Sequence, residues 1–208
     1  DILDKEFDKK VFRTKNRPIA SGKISTKIAF TYASILCLLA LLVLLNFNQF
    51  TIILALGSMP LAFTYPLMKR FTYWPQLFLG ITFNYGLILG WTSIKSEMDI
   101  AAIIFYLGAI FWTLGYDTIY GYQDIKDDEI IGLKSTSIKF KGNEKKFLLT
   151  CYALFLFMFL FGGYLMRLNS VYYFLTIIPL LHLFFYQIRT FESKEPLNCL
   201  KVFKSNNM

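Results

Sequence analysis

The chain has 208 residues, of which 55% are hydrophobic and only 17% are charged, and its net charge at pH 7 is +8. A soluble domain uses about 25% charged residues to cover its surface, so this composition excludes an ordinary soluble fold. Nucleic-acid binding is not favoured either, because the basic residues form no stripe apart from the ends of apolar runs. With a mean hydropathy of +0.47, the composition is typical of an integral membrane protein.

Six apolar runs follow one another along the chain, each close to the roughly 20 residues that an α-helix needs to cross a bilayer core of about 30 Å. They lie near residues 28–45, 50–67, 74–94, 100–120, 147–166 and 171–189. No internal repeat or low-complexity linker separates them. We therefore predict an all-α fold, a polytopic transmembrane bundle with six spans, and a single domain over residues 1–208.

The basic residues are distributed unequally between the two ends of the predicted bundle. Of the 22 Lys and Arg residues, all except Lys95 and Arg167 lie in the N-terminal segment and in every second connection after it. Basic connections remain on the inner side of a membrane, so these segments are expected to share the cytoplasmic or matrix face.

Two acidic segments occur at this basic end, DILDKEFD at residues 1–8 and YDTIYGYQDIKDDEIIGLKST at residues 116–136. On a continuous α-helix the acids of each segment fall within about 60° of one another, which places them on one face. The first set is Asp1, Asp4 and Asp8, and the second is Asp117, Asp124 and Asp128. We expect the two faces to converge at one membrane depth.

Carboxylates without His or Cys partners favour a hard, oxygen-seeking ion such as Mg²⁺, which keeps waters and binds substrate phosphates. The predicted metal ligands are Asp1, Asp4, Asp8, Asp124 and Asp128. The alternative is that acids solvate a loop beside lysines, and this interpretation is preferred for Asp127 and Glu129.

Cationic and polar side chains near the acids are candidates for binding diphosphate oxygens, in the case of Arg as a two-pronged donor. These residues are Arg13, Asn16, Arg17, Lys69 and Lys134. Tyr65 lies four residues before Lys69 on the same face if the helix continues past Pro66. The alternative, which stays open, is that these cations have no binding role and only follow the usual excess of Lys and Arg on the inner side of a membrane. Asp117 lies deeper within a span, and an ionisable residue at that depth indicates function.

Five segments carry a resemblance to the UbiA family of intramembrane aromatic prenyltransferases. DILDKEFD resembles the end of the family's first aspartate-rich motif, NDxxDxxxD, whose Asn is absent here, and RTKNRPIASG continues as the family does. TYPLMKRFTYWPQLFLG resembles its YxxxK loop, and YDTIYGYQDIKDDEIIGLKST resembles its second aspartate-rich motif. CLKVFKSNNM resembles the approach to its last span. The second motif is most similar to the branch that acts on 4-hydroxybenzoate.

The resemblance implies about nine transmembrane helices around a central lipid-accessible cavity, so we expect this chain to lack both ends of that domain. It implies Mg²⁺-dependent transfer of a polyprenyl group from polyprenyl diphosphate to an aromatic acid, 4-hydroxybenzoate in ubiquinone biosynthesis. Asp117, Tyr65 and Lys69 are the expected catalytic residues, and Asp117 could orient the acceptor, steady a carbocation or accept a ring proton. The implied location is a bacterial or mitochondrial inner membrane, with the acids on the cytoplasmic or matrix side, no nucleic acid and no obligate protein partner.

Three alternatives belong beside this interpretation. Transferases of the menaquinone, haem O or chlorophyll type share the family fold and differ in their motifs. A membrane cation transporter would need charge near the middle of the bilayer, whereas these acids crowd one end. A CDP-alcohol phosphotransferase also uses Asp and Mg²⁺, but its DGxxAR signature is absent from the sequence.

Overall fold

A computed structural model describes residues 2–207, and within this range the backbone forms helices and connections but no strand. In chain order the helices are α1 (Lys5–Asp8), α2 (Thr26–Leu44), α3 (Gln49–Phe71), α4 (Pro75–Lys95), α5 (Ile100–Gly121), α6 (Ile125–Ile130), α7 (Thr136–Lys139), α8 (Glu144–Leu165), α9 (Ser170–Thr190) and α10 (Pro196–Lys204). A final 3₁₀ turn covers Ser205–Asn207.

Six of these helices, α2, α3, α4, α5, α8 and α9, are long and apolar enough to cross a membrane within the described range. The prediction of an all-α bundle with six spans is therefore confirmed. The predicted second span near 50–67 extends to Phe71, because the chain passes Pro66 in a 3₁₀ turn at Tyr65–Leu67 and then returns to α-helix. Proline early in such a turn loses no hydrogen bond, which is why the helix continues.

Two other spans contain breaks in the regular α-helix. Helix α4 pauses at Asn84, whose side-chain amide donates to the Gly80 carbonyl at 2.8 Å and to the Thr113 hydroxyl of α5 at 2.7 Å. Helix α9 contains a π-helical turn at Leu181–Gln187. Gln187 at the end of that turn is fully buried and accepts a hydrogen bond from the Tyr152 hydroxyl at 2.6 Å. Polar contacts between spans thus stabilise the interior in addition to packing.

Helices α5 and α8 form the centre of the bundle and approach closely at glycines. A Cβ atom added at Gly108 would lie 2.8 Å from the Phe159 ring, and one added at Gly162 would lie 2.9 Å from the Phe105 ring. Small residues at such positions let membrane helices pack tightly, since lipid supplies no hydrophobic drive for association.

We expect Gly108→Ala to lower the thermal unfolding midpoint of the protein in detergent, because the new methyl group overlaps Phe159 and overpacking costs about 1–3 kcal/mol. The matched control is Gly90→Ala, in the middle of a helix with no atom within 4 Å of the added Cβ. That change gains only helix propensity and should leave the midpoint equal or higher. Equal destabilisation by both substitutions would contradict this packing.

The basic connections meet at one end of the bundle, where ion pairs join segments that are distant in sequence. The Lys69 ammonium lies 2.8 Å from Asp4, and Arg13 pairs with Asp124. Lys145 at the start of α8 lies 3.4 Å from Glu192, which follows α9. The N-terminal segment, the end of α3 and the α5–α6 connection therefore share one surface. The side of a membrane on which it lies stays a prediction.

Candidate active site

The second acidic segment breaks where a single helix was predicted. Helix α5 ends at Gly121, and Asp124, with φ −110° and ψ 9°, precedes the separate helix α6. The Thr118 carbonyl accepts from the Ser137 hydroxyl at 2.8 Å, while the Tyr122 N–H bonds instead to the Ile119 carbonyl. The predicted continuous helical face through Asp117, Asp124 and Asp128 is therefore wrong, because the helix ends between Asp117 and Asp124.

The first acidic segment is also less helical than predicted, since α1 contains only Lys5–Asp8 and Asp4 precedes it. Asp8 is 5% exposed, and the Thr14 hydroxyl donates to its main-chain carbonyl at 3.0 Å. Arg17 Nη1 donates to the two Asp8 carboxylate oxygens at 3.2 and 3.1 Å. The predicted ligand Asp1 lies outside the described residues.

A small cavity of about 170 Å³ brings the two acidic segments together at the basic end of the bundle. Its wall contains seven of the predicted site residues, which are Asp8, Arg13, Arg17, Lys69, Asp117, Asp124 and Asp128. The rest of the wall is formed by Phe7, Val11, Thr14, Gln76, Tyr120, Gly121 and Leu133. The expected convergence of the two segments is therefore present, although their helices are shorter than predicted.

Cations hold the carboxylates of this cavity in place. Arg13 donates from Nε to both Asp124 oxygens at 2.9 Å, contacts Asp124 again through Nη2, and donates from Nη1 to the Tyr120 hydroxyl at 2.8 Å. These hydrogen bonds to Asp124 raise the pKa of Arg13. The guanidinium also lies 5.0 Å from the centroid of the Tyr120 ring. In both acidic segments, therefore, an arginine contacts an aspartate directly: Arg13 contacts Asp124, and Arg17 contacts Asp8.

Four predicted site residues are placed outside the cavity wall. Asp4 contacts the cavity residue Lys69 at 2.8 Å and also pairs with Arg70 at 3.3 Å. Asn16 is exposed and Tyr65 is half-buried. Lys134 donates its main-chain N–H to the Lys69 carbonyl at 2.8 Å and its ammonium to the Phe71 carbonyl at 3.2 Å. Lys134 therefore terminates α3, a position where cations are favourable.

One residue that sequence reasoning missed is Gln76, which is buried in the cavity wall. Its Oε1 accepts from the main-chain N–H of Thr136 at 3.0 Å, so it joins α4 to the start of α7. The sequence did contain a signal for this residue. Gln76 follows Trp74 and Pro75 inside an apolar run, where a polar side chain needs a hydrogen-bond partner.

The carboxylate set fits a divalent cation. Burial raises the pKa of Asp128 to about 6, and the neighbouring Asp124 carboxylate is the next cause. The ionised form of Asp128 beside Asp124 is therefore disfavoured unless a cation lies close to both. All the acidic groups are oxygen donors, as Mg²⁺ requires. Within residues 2–207 no three His, Cys, Asp or Glu side chains surround one point. One or two carboxylates with waters and phosphate oxygens are enough for this ion.

A row of packed aromatic rings begins at Tyr120, which lines the cavity, and continues through residues that lie outside the cavity wall. The ring centroids of Tyr120 and Phe203 are 4.5 Å apart, those of Phe203 and Tyr116 are 5.8 Å apart, and those of Tyr116 and Trp112 are 5.2 Å apart. The aromatic faces therefore begin beside Arg13 and Asp124 and run along α5. Such faces attract a cation and exclude water.

Comparison with known proteins identifies the family of this chain. The UbiA prenyltransferase family model matches residues 1–208. The rat 4-hydroxybenzoate polyprenyltransferase, mitochondrial (Rattus norvegicus) is 51% identical over 149 residues, which are 71% of this chain and 40% of that protein. The 4-hydroxybenzoate geranyltransferase 2 of Lithospermum erythrorhizon is 40% identical over 208 residues, covering 99% of this chain and 67% of that protein.

The fold has a solved relative, the apo structure of a UbiA homologue from Aeropyrum pernix K1. It superposes with a TM-score of 0.76 at 19% identity, over all of this chain and 82% of that one. At this identity the likeness concerns the fold alone. The match to the family model over the whole chain and the identity to curated relatives show that this chain belongs to the UbiA prenyltransferase family.

Proposed function

We propose that the protein transfers a polyprenyl group from polyprenyl diphosphate to an aromatic acid, most directly 4-hydroxybenzoate, with Mg²⁺ as cofactor. The observation that carries this proposal is the cavity at the basic end, where acids of two distant segments face Arg13, Arg17 and Lys69. A diphosphate held by divalent ions needs both kinds of group within one space. The names of the curated relatives support the acceptor class.

In the proposed donor complex the cations of the cavity exchange partners. Arg13 is now bound to Asp124, Arg17 to Asp8 and Lys69 to Asp4. Diphosphate oxygens offer these side chains stronger, charge-assisted hydrogen bonds, while the released carboxylates become free to bind metal. The proposed ligands are Asp8, Asp124 and Asp128 in the wall, Asp4 beside them, and Asp1. Bound Mg²⁺ would neutralise the charge that develops on the leaving diphosphate.

The side chains deeper in the cavity would handle the prenyl group and the acceptor. Breaking the allylic C–O bond leaves a carbocation, and the faces of Tyr116 and Tyr120 could each stabilise it by about 1–2 kcal/mol in a dry site. Asp117 and Tyr120 line the acidic cavity, and the Tyr116 ring lies 5.8 Å from Phe203, which packs against Tyr120. The Asp117 carboxylate could steady the cation, orient the acceptor or take the ring proton, and Tyr65 would add a neutral hydrogen bond. Water must be excluded, because it would capture the cation.

The proposed setting is a bacterial or mitochondrial inner membrane, with this cavity on the cytoplasmic or matrix side and the product used in ubiquinone biosynthesis. The excess of Lys and Arg at this end supports that orientation. Neither a nucleic acid nor an obligate protein partner is part of the proposal.

A product assay on the full-length protein in lipid nanodiscs tests the proposal. The assay offers several prenyl diphosphates, from geranyl upwards, and several ring acceptors including 4-hydroxybenzoate. We expect prenylated 4-hydroxybenzoate only when Mg²⁺ is present, with a loss of at least about 100-fold on chelation that is reversed by added Mg²⁺. Equal turnover with and without chelator, or a preference for an acceptor other than an aromatic acid, would contradict it.

A further inference from the structure

A second and larger cavity, of about 590 Å³, lies at the same end of the bundle, outside the acidic site. Three connections form it, the one after α5, the one before α8 and the one after α9. Its wall consists of Tyr122, Gln123, Ile125, Lys126, Asp127, Lys141, Gly142, Glu144, Ser193, Lys194 and Pro196. None of the residues that line the acidic cavity belongs to this wall.

The position of this cavity places it at the boundary between lipid and water. Its wall is formed by the segment after α5, which ends at Gly121, the segment before α8, which begins at Glu144, and the segment after α9, which ends at Thr190. These three residues are the ends of membrane spans at the basic end of the bundle. Lysines at such a boundary are attracted to the negative surface of a leaflet. The cavity is therefore open to the layer in which phospholipid headgroups lie.

The charges of the wall favour an anion. Lys126, Lys141 and Lys194 all line it, and Lys141 bonds to the Glu129 carboxylate at 2.7 Å. Within residues 2–207 neither Lys126 nor Lys194 has a carboxylate within salt-bridge distance. In this part of the chain, Lys126 and Lys194 are therefore exposed wall residues that form no ion pair.

Both acids of the wall accept a hydrogen bond. Asp127 accepts from the Phe12 main-chain N–H at 3.2 Å, and Glu144 accepts from the Ser193 hydroxyl at 2.8 Å. Both carboxylates keep their negative charge, so the three lysines of the wall exceed its two acids by one positive charge.

The uncharged part of the wall combines apolar groups with the polar side chains of Gln123, Ser193 and Tyr122. Tyr122 is 2% exposed, packs edge-on against the buried ring of Phe191 at 5.4 Å, and is joined in the wall by Ile125 and Pro196. Its buried hydroxyl has no hydrogen-bond partner in the described part of the chain. A buried polar atom without a partner is uncommon and indicates that something else satisfies it when present.

We propose that this cavity binds the phosphodiester headgroup of an anionic membrane phospholipid. Lys126 and Lys194 contact the phosphate, while the glycerol and the first acyl carbons lie on Tyr122, Ile125 and Pro196. The chemistry required is an anion attached to an apolar chain, which a phospholipid supplies and a free phosphate does not.

The site goes beyond prenyl transfer and couples to it through α6. This helix presents Lys126 to the lipid cavity and Asp128 to the acidic cavity, and Asp124 directly precedes it. A bound headgroup therefore fixes the short helix that carries Asp128 and follows Asp124, because α6 has only six residues and none of them is buried.

Native mass spectrometry of the full-length protein tests the lipid site without any activity measurement. The protein is titrated in detergent with phosphatidylglycerol, with phosphatidylcholine of equal chain length, and separately with inorganic phosphate. The double variant Lys126→Gln/Lys194→Gln is compared with Lys23→Gln/Lys204→Gln, which removes two exposed lysines that line neither cavity.

We expect the unmodified protein and the Lys23/Lys204 control to retain phosphatidylglycerol in preference to phosphatidylcholine. The Lys126/Lys194 variant should bind it at least about tenfold more weakly. Lys126→Arg/Lys194→Arg should restore binding, which excludes a folding defect. Equal retention by both Gln variants would overturn the proposal. Displacement of the lipid by inorganic phosphate would overturn the lipid assignment in favour of a soluble anion.

Discussion

Asp124→Asn is expected to lower prenyl transfer by the full-length protein by about 100- to 1000-fold, while the protein stays inserted and folded. Asn keeps the size of the side chain and one acceptor oxygen, so it can still accept from Arg13. It loses the negative charge that would hold a divalent ion against the diphosphate. Turnover with Mg²⁺ and prenyl diphosphate, measured alongside the thermal unfolding midpoint, separates the loss of chemistry from a loss of fold.

Glu129→Gln is the matched control for this substitution, because it removes one carboxylate from the same helix. Glu129 is exposed, pairs with Lys141 and does not line the acidic cavity. Its replacement should change turnover by less than about threefold, since surface ion pairs contribute little. If the two variants lost activity equally, the general charge of α6 would matter and the position of Asp124 would not.

Lys69→Gln is expected to raise the KM for the prenyl diphosphate about 10- to 100-fold and to leave the KM for the aromatic acid within about threefold. A charge-assisted hydrogen bond contributes about 1.5–3 kcal/mol, and the cavity places this ammonium among the acids of the proposed metal site. The fold should tolerate the change, because Arg70 also contacts Asp4, at 3.3 Å. Steady-state kinetics with each substrate varied in turn measures the two constants.

Lys139→Gln controls for the loss of positive charge at this end of the bundle. The Lys139 ammonium lies 4.5 Å from the centroid of the Trp74 ring, and the residue does not line the acidic cavity. Both substrate constants should stay close to those of the unmodified protein. A change confined to the acceptor constant in Lys69→Gln would exclude its proposed role at the diphosphate.

The seven cavity residues that the sequence identified share a feature that can be read without a structure. Each is charged and lies in the basic N-terminal segment, shortly after an apolar run at the basic end or, like Asp117, within the run. A charge inside a membrane span loses hydration and needs a partner. Lys134 satisfied the same rule and was placed at the end of α3 instead. Sequence position alone does not distinguish a cation that faces a cavity from one that binds the last carbonyls of a helix.

The sequence by itself determined the six spans, their α-helical state and the gathering of acids and bases at one end, because the bilayer forces every backbone polar group into a helix and leaves charges only at its boundary. Only the tertiary structure decided how the acids meet. Helix α5 ends at Gly121, so Asp124 and Asp128 do not continue the face of Asp117. Arg13, Arg17 and Lys69 each pair with a particular carboxylate. Contacts between segments so far apart in sequence depend on packing, which local pattern does not encode.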